Sequence, residues 1–297
     1  MTTLQRLMKY EYSNMLSIRS WKYLPAILVL LASFHPSVQA QEGLIPHAKV
    51  VQGSHNIVKV WLSGSTTRYG HSILGDSVEA TTLSIELKDG SVLTAHAEDN
   101  SVFEDLTPRL IDIDQDGQDE VVTIQSDASS GARVVLFKVV DGELKLTLST
   151  QPIGIGYRWL NPIGAADITG DNNIEIVYVE TPHIGGIVTV VKPYGNKLIP
   201  VAEKRGYSNH AIGSTLQNLS LVSDLDSDGI SEIIVPDQSR TAFAILYFID
   251  GKLIEFWKSK QGPRIGGNVE LISSEKMLTY LTTTNEVHSI ELPTFNR

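Results

Sequence analysis

Asp224-Leu-Asp-Ser-Asp-Gly-Ile-Ser-Glu232, running straight into Ile233-Ile-Val-Pro236, is the stretch from which the fold can be read. Two relatives stand upstream: Asp112-Ile-Asp-Gln-Asp-Gly-Gln-Asp-Glu120 and Asp167-Ile-Thr-Gly-Asp-Asn-Asn-Ile-Glu175, with first residues 55 and 57 apart. Self-similarity at a near-constant period marks one supersecondary unit copied along the chain.

The loops suggest a cation. A hard ion such as calcium takes six to eight oxygens at about 2.3–2.6 Å, and alternate carboxylates on a tight turn supply them. In the first loop Asp112, Asp114 and Asp116 would converge, Gly117 permits the turn, the Gln118 carbonyl adds a ligand and Glu120 closes the site. In the third, Asp224, Asp226, Asp228, the Ile230 carbonyl and Glu232 play the same parts. The second keeps Asp167, Asp171 and Glu175, but Thr169 replaces a carboxylate and Asn172 the glycine, so weaker binding or a structural turn is expected. Asn still tolerates a left-handed backbone. An EF-hand is excluded: it needs a glutamate at position twelve, where this chain has Thr123, Tyr178 and Val235. The β-branched runs after each loop favour strand over helix.

Downstream of each loop, two alternating runs flank a two-residue turn: 134–140 and 143–148 around Asp141-Gly142, 187–192 and 197–201 around Gly195-Asn196, and 243–249 and 252–257 around Asp250-Gly251. Such turns are strong hairpin signals. An earlier copy surrounds Asp89-Gly90, and a degenerate one spans 277–283 and 286–292. About four short strands per period is the content of one propeller blade. The expectation is therefore an all-β propeller of about five four-stranded blades, with residues 57–62 supplying the last blade's missing strand. A sandwich series would need units of about 100 residues.

The pattern Asp-x-Asp-x-Asp-Gly-x-x-Glu before a β-branched strand resembles the FG-GAP/VCBS-type repeat of integrin-α-like β-propellers. Ile163-Gly164 and Thr181-Pro182 flank the second loop, and Ile212-Gly213 and Val235-Pro236 the third, as degenerate forms of that repeat's Phe-Gly and Gly-Ala-Pro elements. The resemblance covers residues 105–260 and implies calcium-binding, blade-stiffening loops. It does not fix a function.

Arg19 and Lys22, an apolar run over 23–34 and Val38-Gln39-Ala40 describe a secretory signal peptide cut after Ala40, with Met15 an alternative start. The run is short for a membrane span, which needs about 20 residues. The expected product is one periplasmic or secreted domain over 41–297, with no membrane attachment after cleavage. Removing that leader takes the net charge from −10 to −13, and 12 of the remaining 33 carboxylates lie in the three loops. Nucleic acid, which needs a basic footprint, is excluded as a partner. With no cysteine, an exported domain must be stiffened by ions and packing rather than disulfides.

Four aromatic or polar clusters end in an apolar residue and glycine: 69–75, 157–164, 207–213 and 262–266, with 182–185 related. If the units repeat, His71, Arg158, Trp159, His183, His210 and Arg264 meet at one end. Such a ring suits a carbohydrate, a protein or another polar ligand. The histidines would alternatively hold a transition metal, supply a general base, or simply pack the junctions. No His-Glu-x-x-His, Gly-x-Ser-x-Gly or phosphate-cradling glycine loop occurs. Glu79, Glu104, Asp105 and Glu180 are unpaired candidate acids. The favoured reading is a non-enzymatic, calcium-stabilised recognition module; the alternative is an extracytoplasmic hydrolase or lyase using the His/Arg/Trp face. The sequence assigns no oligomeric state.

Overall fold

The acidic-loop period materialises as consecutive antiparallel meanders. The structure, a computed structural model, describes residues 43–294; the expected leader over residues 1–40, its cleavage point and Met15 lie outside them. The first meander is β1 (Val51–Gln52), β2 (Ile57–Thr66), β3 (Glu79–Leu87) and β4 (Val92–His96). After a short β5 (Ser101–Phe103), the second comprises β6 (Arg109–Ile111), β7 (Glu120–Asp127), β8 (Gly131–Val140) and β9 (Glu143–Ser149). The third is β10 (Leu160–Ala166), β11 (Glu175–Glu180), β12 (Ile187–Tyr194) and β13 (Lys197–Arg205). The fourth is β14 (Leu221–Ser223), β15 (Glu232–Pro236), β16 (Phe243–Ile249) and β17 (Lys252–Lys258). A three-stranded fifth follows: β18 (Ile265–Ile272), β19 (Met277–Thr282) and β20 (Val287–Glu291). The pairs Ala80↔Phe103 and Lys197↔Ser149 join the first three into one 13-stranded sheet, and no sheet among the described residues closes into a barrel.

The turns follow the chemistry of their residues. Asp141 and Gly142 (φ 54° and 76°), like Asp250 and Gly251 (φ 49° and 76°), have two successive left-handed residues, the I′ geometry whose twist matches a hairpin. Five residues after each turn the ladder skips one residue, at Thr147, Val201 and Phe256, so the repeat extends to its bulges.

Strand alternation explains the packing. Ile176 and Tyr178 of β11 face a core shared with the first two meanders, whereas Val177 and Val179 face one shared with β15 and β16. In β15, Ile233 and Val235 join that second core, while Ile234 turns to a third against β18 and β19. These sheets are thus buried on both faces, which accounts for their continuous β-branched runs. Successive side chains project oppositely and both sides are dry.

One expectation is corrected. Residues 57–62 do not complete the last meander; they belong to β2, which pairs with β1 and β3 in the first. Val51 and Gln52 provide a short outer partner for that run, and the hairpin at Asp89-Gly90 ties β3 to β4. Among the described residues, local pairing therefore fills the first unit, and the fifth has three strands.

Candidate functional site

In each of the second, third and fourth meanders, the acidic loop joins the first strand to the second and the hairpin turn joins the third to the fourth. Antiparallel order places both at one end of the strands. The second-to-third turn and the exit of the fourth strand lie at the other end. Acidic loops and histidine-bearing segments therefore occupy opposite ends, about 20 Å apart for six extended residues.

The three loops share one backbone. Residues four and six are left-handed in each: Gln115 and Gly117, Gly170 and Asn172, Ser227 and Gly229. The first Asp uses both oxygens on loop amides: Asp112 accepts from Asp116 and Gly117 (2.9 Å each), Asp167 from Gly170 and Asn172 (2.7 and 2.8 Å), and Asp224 from Ser227 and Gly229 (2.7 and 2.9 Å). The closing glutamate accepts the amide of residue two: Ile113 to Glu120, Ile168 to Glu175 and Leu225 to Glu232, at 2.9–3.0 Å.

Beyond this frame the loops differ. Carboxylate oxygens of Asp112, Asp114 and Glu120, and of Asp224, Asp226 and Glu232, lie within 4.8 Å of one another, so two acidic clusters can hold a metal ion. Asp116 and Asp228 stand outside these groups and accept the amides of Gln118 and Ile230 (2.8 Å each). In the second loop the Thr169 hydroxyl donates to Glu175 Oε1 (3.0 Å), Asp171 accepts from Asn173, and no such group forms among the described residues. The first loop holds a cation of its own: Lys138 Nζ lies 2.7 Å from Asp114, 2.9 Å from Asp116 and 3.0 Å from Glu120. Burial works against that ammonium, but the three carboxylates outweigh it and hold its pKa well above the usual lysine range. Burial pushes Glu120 and Glu175 upward.

The other end is aromatic. His71, from the β2–β3 loop, places Nδ1 2.7 Å from Glu104 Oε1; Glu104 is 2% exposed, and Ser126 donates to its second oxygen (2.5 Å). Burial raises the Glu104 pKa, partly offset by these two partners. The Trp159 indole N–H donates to the Glu104 carbonyl (3.0 Å), and Tyr69 stacks on Tyr157 with ring centroids 5.0 Å apart. His183 stacks parallel to Trp159, and its Nε2 lies 3.0 Å from His210 Nδ1. His210 Nε2 lies 2.9 Å from the Ser214 carbonyl. A carbonyl only accepts, so neutral His210 carries its proton on Nε2, and His183 Nε2–H donates to the bare Nδ1. Burial lowers the His183 pKa to about 4 and that of His210 to about 3, with nearby Arg240 depressing both. The pair is neutral at neutral pH.

Of the expected ligand residues, His71, Arg158, Trp159 and His183 line one recess of about 110 Å³, with Tyr157 and the exposed Ile184 and Ile212 also lining it. His210 is fully buried and holds the His183 ring through its Nδ1. Arg264 is exposed and does not line the recess; it lies beside Arg240, whose carbonyl accepts the Ile265 amide (2.7 Å). Among the described residues the three histidines do not gather into a three-ligand metal set. One ring nitrogen of His71 faces Glu104, one of His183 faces His210, and both of His210 are bonded, to His183 and to the Ser214 carbonyl.

Sequence reasoning named Asp105 as a candidate acid but not its partners, and it missed Arg240. Asp105, 1% exposed, gathers the amides of Leu106 and Thr107, the Thr123 hydroxyl, Arg109 (2.5 Å) and Gln217 (2.9 Å). Arg240 donates to Ser208 Oγ and the His210 carbonyl (3.1 and 2.9 Å). Thr123 and Gln217 for Asp105, and Ser208 and His210 for Arg240, are distant in sequence, and no local spacing reveals them. Tyr157 was visible in its Tyr-Arg-Trp segment.

No protein-family model matches the chain, and no curated protein matches it. Among solved structures it is similar to the exotype rhamnogalacturonan lyase YesX, at TM-score 0.41 and 12% identity over 83% of this chain. The chain spans 56% of the length of that protein.

Proposed function

We propose that the chain is an exported, calcium-stabilised β-propeller of the FG-GAP/VCBS repeat type, about five-bladed, that recognises a carbohydrate or protein ligand at its aromatic end. The observation that carries the ligand reading is the recess where Tyr157, Trp159, His71, His183 and Arg158 offer stacking faces and hydrogen-bonding groups together. That mixture suits a polar ligand with an apolar face.

The ring arrangement is supported by contacts that bring the chain back on itself. The segment entering the fourth meander donates from Gly213 to the Ile73 carbonyl (2.9 Å), and from Gln217 to Asp105. Sheets packed on both faces are what radial stacking requires. Calcium is favoured by the all-oxygen chemistry of the two clusters: Asp224, Asp226 and Glu232 are the residues that would hold it, and Asp112, Asp114 and Glu120 form a second set of the same chemistry, beside which Lys138 stands. Bound there, the ion would neutralise loop carboxylates and stiffen the turn. Export predicts Gln41 as the mature N-terminus by N-terminal sequencing.

A glycan and peptide array probed with the full chain tests the ligand reading. Binding that disappears in Tyr157→Ala and Arg158→Ala while the circular dichroism is unchanged is the expected result; binding that survives both removes the recess from consideration. Chelation is expected to lower the melting temperature, and an unchanged value would sink the calcium reading. The hydrolase or lyase alternative gains one specific observation: Glu104 orients His71 as a buried carboxylate orients a catalytic base. It predicts that His71→Gln abolishes turnover of an array-identified saccharide while binding persists.

A further inference from the structure

We propose that Lys138 is the resident cation of the first acidic loop and keeps calcium out of it; this rests on the calcium reading of the loops given above. Lys138 sits on β8 one residue beyond Phe137, which pairs with Val121 of β7, so its side chain emerges across from Glu120. Its Nζ lies 2.7–3.0 Å from one oxygen each of Asp114, Asp116 and Glu120. Two of those residues belong to the carboxylate group that would otherwise close on an ion. Glu120 is 1% exposed, and its Oε1 takes no well-formed hydrogen bond, although Lys138 stands at ion-pair distance. That oxygen is held in place for a positive charge.

The ammonium and a divalent ion exclude one another. Calcium asks for six to eight oxygens at about 2.3–2.6 Å, and Asp114 and Glu120, two of the carboxylates that hold the ammonium, would have to supply some of them. A lysine left beside it would add like-charge repulsion in a partly dry site. The ammonium also arrives on its own strand, so no ion need be drawn from solution.

The position recurs. Lys138 stands three residues before the hairpin residue Asp141; the same offset gives Lys192 before Gly195, Glu86 before Asp89 and Tyr247 before Asp250. Lys192 Nζ reaches Asp171 of the second loop at 3.7 Å. In the first meander the charges are exchanged: Lys59 on β2 pairs with Glu86 on β3 at 2.7 Å. Three neighbouring meanders therefore carry an opposite-charge couple built on the residue three before the hairpin turn.

Calorimetric titration of the full chain with calcium chloride, comparing Lys138→Met with the parent, tests the inference. The expected result is one additional calcium per chain in the variant, together with a melting temperature that falls in chelator and is restored by calcium. Equal, non-zero calcium numbers would overturn the role of Lys138 and leave the calcium reading standing. So would a lower number in Glu120→Gln made on the parent, since the first loop would then already hold calcium. No uptake by either chain would overturn the calcium reading as well. Lys138→Gln, uncharged but hydrogen-bonding, is the second variant if methionine unsettles the strand, and is held to the same outcomes.

Discussion

Acidification isolates the energetics of the His183–His210 pair. Both rings are held neutral by burial, with pKa values of about 4 and about 3 in the folded chain against an ordinary 6.5. Because the folded values are depressed, the unfolded chain binds protons that the folded chain refuses as the pH falls below 6.5. Stability is therefore complete above that value and is lost progressively down to about pH 4. Every tenfold loss of proton affinity is worth about 1.4 kcal/mol, so each of the two rings, kept from the proton it takes up when unfolded, removes about 3 kcal/mol over this window. The geometry agrees: a proton added to His210 Nδ1 would confront the His183 Nε2–H across 3.0 Å, with Arg240 adjacent. Urea unfolding followed by tryptophan fluorescence at about pH 7 and about pH 4 measures the loss, and the His183→Gln/His210→Gln double variant supplies the reference for every other titrating group. The parent is expected to lose about 6 kcal/mol more than the double variant across the interval, about 3 for each ring. Parallel losses would refute the neutral-pair reasoning.

Asp105→Ala is expected to cost about 3–5 kcal/mol in denaturant unfolding, because it strands Arg109 and four other donors around a buried site. Trp159→Phe removes the donor to the Glu104 carbonyl and should cost about 1–3 kcal/mol by the same measurement. Gly186→Ala would bring a Cβ within 1.9 Å of the Tyr207 carbonyl oxygen, and a loss of at least about 2 kcal/mol is expected. A neutral outcome there would mean that the β12–β13 edge moves apart at little cost.

The parts legible in sequence were those whose cause is local. Asp-Gly and Gly-Asn pairs specify their own backbone, so the hairpins fell where the runs of alternating residues placed them. The acidic loops were legible as well, down to the left-handed Asn172 (φ 62°), because an Asp at position one and a Glu at position nine satisfy their own loop's amides. The pairing of residues 57–62 was not legible, since any unpaired β-rich run fits any open edge. Nor was the service of Lys138 to Asp114 and Asp116, more than twenty residues away, or the setting of His71 by Glu104. Grouping the histidines by their glycine-ended segments brought His71, Trp159 and His183 together correctly, but it did not distinguish His210, buried with both nitrogens bonded, from the residues that face the recess.

The closing glutamates have a further consequence, for how strands find their partners. A strand with one wet face and one dry face is held in register because a one-residue slip exposes its apolar side. In β11 and β15 both faces are dry and apolar, so that penalty is weak: sliding Ile176-Val-Tyr-Val179 by one residue exchanges one buried hydrocarbon for another. Alignment must come from the ends. Ile111↔Glu120, Ala166↔Glu175 and Ser223↔Glu232 are the same pairing three times, and each glutamate also grips the amide two residues beyond its partner. A slipped strand would drag that carboxylate into a hydrocarbon layer. The glutamates thus serve as alignment marks, setting the frame in which otherwise interchangeable valines and isoleucines are paired.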